Sequence, residues 1–331
     1  MAVVAFAFGL AAMAFGFATG WIYLAIGFGF LRFLGQGSLM LTCGNLTSQW
    51  FDRKRGFALG LMSLGFPISI ALHPPLAQWL ILEVGWREAW LWLGLSTWAL
   101  LIPPILIFLH NRPEDVGLRP DGEPALAPGA SAAPVWGMTR AEALGTPAFY
   151  LIVAGMFCFS MLMTSLHVEY TGILKSHGLA PETAAGMFTV TGVSAAILMP
   201  LVGRLLDKAP AKWMFCGGLL VQAASLLAIT FAYDATGAVV FALIFGLNNA
   251  VTMTFVGFFW PRYFGRKHLG SIQGIGQMIM IFGASVGPLP LGWALDEWGG
   301  YDGMLQILAA FPAAVALVAA LRLPHPAAIP R

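Results

Sequence analysis

Arg32 is the residue whose placement constrains the chemistry of this chain most. It stands about 11 residues into an apolar run that begins at Trp21, and at about 1.5 Å per helical residue that is about 16 Å along the axis. A charge at that depth in hydrocarbon is costly without a partner, so it faces protein or water and is a candidate functional residue. Gln36 is four residues further on and shares its helical face. The competing reading of Arg32 is a hydrogen bond to backbone carbonyls of a neighbouring helix.

Other polar residues inside apolar runs are candidates of the same kind. Asn248 and Asn249, with Thr252 and Thr254 nearby, lie midway along one run, and interhelical hydrogen bonding is the alternative to a functional role. Gln273 and Gln277 are spaced four apart and share a face; interhelical bonding is the favoured reading for them. His167, Glu169 and Tyr170 close a span, where Glu169 is either a proton acceptor or a solvated helix end. His73 precedes Pro74 and Pro75. It either titrates near neutral pH or satisfies carbonyls that the prolines leave free. Two charge clusters, Asp52 with Arg53, Lys54 and Arg55, and Asp207 with Arg204 and Lys208, stand where ion pairs could form in one conformational state and break in another. Setting membrane topology is their alternative role.

The elements that position these residues follow from composition. The chain has 331 residues, 59% hydrophobic and 10% charged, whereas an average soluble domain carries roughly 25% charge. No charged side chain occurs between Met1 and Leu31. Ten apolar stretches read as membrane helices, at about 2–18, 21–49, 56–82, 87–109, 147–170, 182–205, 212–233, 237–262, 270–294 and 303–322. Continuous rather than alternating runs indicate helices, not barrel strands. The expected fold is therefore all-α, a polytopic helical bundle integral to the cytoplasmic (inner) or plasma membrane, with the lipid bilayer as its surroundings.

Sidedness comes from the basic residues. Arg53, Lys54, Arg55, Arg112, Arg119, Arg140, Arg204, Lys208, Lys212, Arg262, Arg266, Lys267, Arg322 and Arg331 all fall in one set of alternate connections. Arg87 and Lys175 fall in the other. This bias places the first set, and both termini, on the cytoplasmic side. A Pro-, Gly- and Ala-rich stretch at 111–145 reads as a flexible linker. It separates an amino-terminal bundle of four spans, 1–110, from a carboxy-terminal bundle of six, 146–331. A six-plus-six arrangement would make the amino end two helices short, and Met1 opens directly into an apolar run without a basic leader.

Enzyme chemistry has little support. No Gly-Lys-Ser/Thr, HExxH or EF-hand loop is present. Gly283-Ala-Ser285-Val-Gly287 matches a nucleophile-elbow pattern, but that motif needs a strand-to-helix turn. Cys43, Cys158 and Cys216 are single, so no metal site, disulfide framework or cofactor is expected. The net charge of +2 gives no reason to expect nucleic acid. Gly56/Gly60, Gly270/Gly274 and Gly283/Gly287 are GxxxG pairs suited to close helix packing.

Six segments in order carry a family resemblance: Arg32-Phe-Leu-Gly-Gln36-Gly37; Trp50-Phe51-Asp52-Arg53-Lys54-Arg55-Gly56; Gly85-Trp86-Arg87; Arg112-Pro113-Glu114-Asp115; Gly203-Arg204-Leu205-Leu206-Asp207-Lys208; and Gly283-Ala-Ser-Val-Gly287-Pro288 with Gly292, Asp296 and Gly299. Together the sequence resembles the major facilitator superfamily, in particular its monocarboxylate and oxalate/formate carrier branch. The resemblance implies about ten of twelve expected helices, the first two being absent, and makes the run from Ala2 the third. It implies a secondary active transporter of a small organic solute, a carboxylate being the branch's substrate type, coupled to a proton or counter-solute and working by alternating access. Arg32 matches the family's arginine motif, and Gly203 to Lys208 its carboxy-half signature. The basic residue that related carriers place in their eighth or eleventh helix has no counterpart in mid-span here. The alternative reading is a non-transporting sensor or partner subunit, or an inactive transporter fragment.

Overall fold

The computed structural model describes residues 1–123 and 136–326, without the side chains of Ile70, Ala71, Pro74, Pro75, Pro181 and Ala185. The middle of the 111–145 stretch and Arg331 lie outside the described residues. The helices are α1 (Ala2–Phe15), α2 (Trp21–Trp50), α3 (Arg55–Ser63), α4 (Gly65–Phe108), α5 (Pro147–Ser176), α6 (Pro181–Lys208), α7 (Ala211–Ile229), α8 (Ala235–Phe264), α9 (Leu269–Val286), α10 (Leu289–Trp298) and α11 (Asp302–Arg322). The helical membrane bundle read from the sequence is thus present, and eight helices among the described residues are long and apolar enough to cross a bilayer.

Several of the ten expected spans differ; the ninth, expected over 270–294, is divided at Gly287 and Pro288 into α9 and α10. The first is a helix of only 14 residues. The third, expected over 56–82, is interrupted at Leu64, between α3 and α4. Pro67 has no N–H to bond the Ser63 carbonyl, so the helix cannot run through that turn without loss. Further on, Gly85 adopts φ +78° and breaks α4 in two, a backbone conformation that glycine enters without steric penalty. The fifth span is longer than expected, because α5 runs to Ser176 and ends where Gly178 takes φ +84°. Glu169 and Lys175 do not stop it, since charged side chains are good helix formers.

The chain forms two compact units: unit 1 comprises Met1–Trp50 and Ile68–Ser131, and unit 2 comprises Phe51–Pro67 and Ala132–Arg331. In unit 1, α1 packs against the second half of α4. The Phe6 and Trp98 rings stack at 4.6 Å, and Trp98 Nε1 donates to the Phe6 carbonyl at 2.9 Å. Gly9 and Gly94 let the two backbones meet, for a Cβ on Gly94 would lie 2.7 Å from the Gly9 oxygen.

Unit 2 is held by an antiparallel aromatic ladder between α5 and α8: Phe149 with Phe264 at 6.0 Å, Phe159 with Phe255 at 5.6 Å and Tyr170 with Phe241 at 5.8 Å. On the adjoining face Phe215 of α7 meets Phe259 of α8 at 5.1 Å. Gly155 leaves room for the Phe215 ring, Gly218 for Phe255 and Gly276 for Trp260. Apolar surface gains nothing by leaving lipid for another helix, so this interlocking of rings with glycines is the attraction that remains.

The two ends of unit 2 are fastened by polar contacts. At one end Trp136 and Met138 pair with the α8–α9 turn: Met138 N donates to Phe264 O at 2.8 Å and Arg266 N to Trp136 O at 2.9 Å. Residues 136–145, expected as part of a flexible linker, are therefore folded against the bundle. Thr139 and Glu142 then form a capping box, and those hydrogen bonds hold the exposed Glu142 carboxyl below the usual carboxylate range. At the other end Asp302 accepts from His177 Nε2 and from the Tyr233 hydroxyl, each at 3.0 Å, tying together three helix connections. That bond raises the Tyr233 hydroxyl pKa.

Asp302→Ala should remove both bonds and cost about 1–2 kcal/mol. Cys158 and Cys216, 0% and 5% exposed, become reactive to a thiol dye only on unfolding. A thermal scan in detergent should show their labelling at lower temperature in the variant; an unchanged midpoint would mean that the clasp adds no stability.

Candidate functional site

The Arg32 segment is not ordinary α-helix. Residues Arg32–Leu39 wind as a π-helix within α2, a conformation that is rare and tends to occur at functional positions. The Ser38 hydroxyl donates to the carbonyl of Phe33, five residues back, at 3.0 Å. Arg32 Nη1 donates to Gln36 Oε1, so the expected neighbourliness of the pair is realised. The Arg32 guanidinium also lies 5.3 Å from the Phe28 ring centre, and both residues are on the exposed surface of unit 1. Spacing could propose the pair; it could not announce the π winding, although Gly35 and Gly37 weaken the α-helix locally.

Asp207 is the second focus. Its two carboxylate oxygens accept from the backbone N–H of Gly56 at 2.6 Å and of Phe57 at 2.9 Å. These are the second and third residues of α3, whose first-turn N–H groups have no partner within the helix. A carboxylate from α6 therefore caps α3 and sits at the positive end of its dipole. The approach depends on two glycines: a Cβ on either Gly56 or Gly203 would run into the backbone oxygen of the other. Gly60 is seated in the same way over the Met199 carbonyl, which gives the Gly56/Gly60 pair the packing role expected from its spacing.

Around this cap, Arg204 stacks its guanidinium 4.8 Å from the Phe57 ring centre. Asp52 accepts from Arg55 Nη2 at 3.0 Å. Arg53 and Lys208 lie at the surface. Arg55, by contrast, is 2% exposed and also donates from Nε to the Phe51 carbonyl at 3.1 Å. Sequence reasoning grouped Arg55 with its basic neighbours and missed its burial; the only signal was that it begins a helix carrying two packed glycines.

The remaining candidates are separated from these two foci. Asn248 and Asn249 are 0% and 3% exposed inside unit 2, where Asn249 Nδ2 donates to Phe245 O at 2.7 Å. Gln273 is buried and Gln277 half-buried on α9. Glu169 accepts from the Tyr301 hydroxyl at 3.3 Å, and burial followed by the Glu169 charge raises the Tyr301 pKa. His167 Nδ1 meets Met163 O at 2.9 Å, and its ring packs on Phe245 at 4.8 Å. His73 Nδ1 meets the hydroxyl of Ser69 at 2.9 Å and its carbonyl at 3.2 Å, one turn back.

Two apolar troughs accompany the foci. In unit 1 a cavity of about 620 Å³ is lined by Leu10, Phe17, Tyr23, Ile26, Phe30 and Phe33, among others. In unit 2 a cavity of about 700 Å³ lies between α6 and α8, with Val193, Ile197, Leu243 and Leu247 on its walls and Thr189 and Ser194 as its only polar side chains. The Ser194 hydroxyl is engaged by Leu243 O at 3.3 Å. Further along the same pair of helices α3 is wedged, with Leu59 against Gly257 and the Ser63 hydroxyl 3.5 Å from Met253 O. Among the described residues no group of His, Cys, Asp or Glu could hold a metal ion.

These features place the chain among polytopic helical membrane proteins, a class of many families. Comparison with known families gives the particular one. The Major Facilitator Superfamily profile matches residues 1–175 and 168–330, and the chain belongs to that family. Among curated proteins it is 28% identical over 307 residues to an uncharacterized 38 kDa protein of Thermoproteus tenax, covering 91% of this chain and 71% of that one. It is 26% identical over 303 residues to the cis,cis-muconate transport protein of Acinetobacter baylyi, covering 84% and 67%. Monocarboxylate transporter 13 of Rattus norvegicus is 24% identical over 305 residues, with 89% and 66% covered. The chain thus spans about two thirds of the length of these last two relatives. The fold matches the human organic anion transporter MFSD10 with a TM-score of 0.71 at 12% identity, over 96% of this chain and 76% of that one. It matches the E. coli fucose:proton symporter FucP at 0.70 and 15%, over 97% and 82%.

Replacing Asp207 tests the cap directly. Asp207→Ala should weaken the α3–α6 contact by about 1–2 kcal/mol, and Asp207→Asn, which keeps one acceptor, by less. Thiol labelling at a cysteine placed at Phe57 should increase from the unmodified protein to Asp207→Asn and further to Asp207→Ala. Equal accessibility in all three proteins would show that the cap does not hold α3.

Proposed function

We propose that this chain is a secondary active transporter that carries a small organic solute, with carboxylates its substrate type, by alternating access and coupled to a proton or counter-solute. The observation that carries the reading is Arg32, a cation inside a membrane span, held in a π-helical turn with Gln36 as its partner. An intramembrane charge with a polar partner on a rare backbone is costly to maintain in lipid, and solute or ion handling is its usual use. Arg32 is then the cation for a carboxylate, in keeping with the lack of a mid-span basic residue in the carboxy half.

The apolar trough of unit 1, with Phe30, Phe33 and Leu34 on its walls, suits the carbon body of such a solute. The named relatives that carry muconate and monocarboxylates favour the same substrate type. The Asp207 cap on α3 supplies a contact of the kind that one access state makes and the other releases. The charges at Asp52, Arg53, Arg204 and Lys208 flank it. Gln277, Gln273, Asn248, Asn249, His73 and Glu169 remain secondary candidates for solute or coupling contacts. The orientation proposed puts both termini in the cytoplasm.

Counterflow in proteoliposomes checks the central residue. Carboxylate exchange should fall at least tenfold in Arg32→Gln and recover in part in Arg32→Lys. Unchanged exchange in Arg32→Gln would remove Arg32 from the solute path. No exchange by the unmodified protein with any small organic acid would favour a non-transporting partner or sensor.

A further inference from the structure

Three side chains at the centre of unit 2 are buried without a partner that accounts for them, and only one of them, Asn248, is among the secondary solute candidates. Gln222 of α7 and Asn248 of α8 are both 0% exposed, and Thr252 of α8 is 2% exposed. Both amide atoms of Gln222, both of Asn248 and the Thr252 hydroxyl are buried without a hydrogen-bond partner among the described residues. Leaving a buried donor or acceptor unsatisfied costs about 1–3 kcal/mol each, and in a bilayer no bulk water relieves it.

The register of the helices brings the three together. Phe215 meets Phe259, and Gly218 meets both Phe255 and Val251, so α7 and α8 run antiparallel. Gln222 lies one turn beyond Gly218, which sets it level with Val251, and Asn248 and Thr252 are within a turn of that level. By helical angle Gln222 falls between Phe215 and Gly218 on α7. Asn248 falls between Phe259 and Phe255 on α8, so both face the junction of α5, α7 and α8. Asn248 and Thr252, four apart, share that face. The site is near the midpoint of both helices.

The donor set selects the ligand. An anion needs donors only and a cation needs oxygens only, but these side chains present two amide NH₂ groups, two amide oxygens and a hydroxyl. Water, which both donates and accepts and typically makes about three bonds when buried, complements all of them. We propose that Gln222, Asn248 and Thr252 form a binding site for a small cluster of ordered water at mid-membrane depth between α7 and α8. The helices are then joined there by water bridges, beside contacts of aromatic rings against glycine. The Ser225 hydroxyl, one turn on, is already engaged, donating to the main-chain carbonyl of Gln222 at 2.8 Å.

The test is X-ray hydroxyl-radical footprinting of the full chain in detergent, read by peptide mass spectrometry. Radicals formed from water bound at the site should oxidise Leu226, Val251 and Phe255, which are 0%, 4% and 0% exposed and shielded from bulk solvent. In Gln222→Leu/Asn248→Leu that oxidation should fall at least fivefold, while exposed Trp213 is oxidised as before. Absence of oxidation at the three residues in the unmodified protein, or its persistence in the double variant, overturns the proposal; the first result would mean that the amides bond directly to each other. Should the double variant not fold, as reported by dye labelling of Cys158 and Cys216, Thr252→Val provides the milder comparison. Carboxylate exchange is not the readout, so this result stands apart from the transport reading.

Discussion

In hydrocarbon there is no solvent to take up a backbone N–H or C=O, and this governs how the chain can be built. Helices meet the requirement along their length but leave four donors and four acceptors open at each break. The breaks in this protein are therefore the places where chemistry is found. The start of α3 is supplied with a carboxylate from α6. The α8–α9 turn is supplied with the main chain of Trp136 and Met138. The π segment of α2, which shifts the bonding pattern by one residue, coincides with the arginine.

The same constraint explains why glycine and aromatic residues dominate the packing. With lipid as apolar as any side chain, helices associate through close fit and polar contacts. Gly56 against Gly203 brings two backbones together, and that nearness is what allows Asp207 to reach main-chain donors of another helix. A larger residue at either glycine would move the helices apart and strand both the carboxylate and the first turn of α3. Packing and electrostatics at this contact are one arrangement.

Much of the fold is legible in the sequence, because bilayer thickness and the absence of charge mark the spans with little ambiguity. What is not legible is local. The break at Leu64 and the kink at Gly85 depend on where single Pro and Gly residues meet the bonding ladder, and hydropathy averages over such details. At the site, the pairing of Arg32 with Gln36 is readable from a four-residue spacing. The burial of Arg55 and the unpartnered amides of Gln222 and Asn248 are not, since they depend on which helix lies opposite. Charges near Asp207 invite a reading of side-chain ion pairs, and nothing in their spacing tells that this carboxylate also takes two amide protons of the main chain.

That last feature bears on how the contact would evolve. A carboxylate facing a lysine can be lost and restored by compensating substitutions, and paired changes across related sequences then reveal the neighbours. Here two of the donors belong to the peptide groups of Gly56 and Phe57, which every non-proline residue possesses. No second-site charge reversal can stand in for them, so suppressor screens would return nothing at Phe57. Covariation between positions 57 and 207 would be silent even though their atoms are in direct contact.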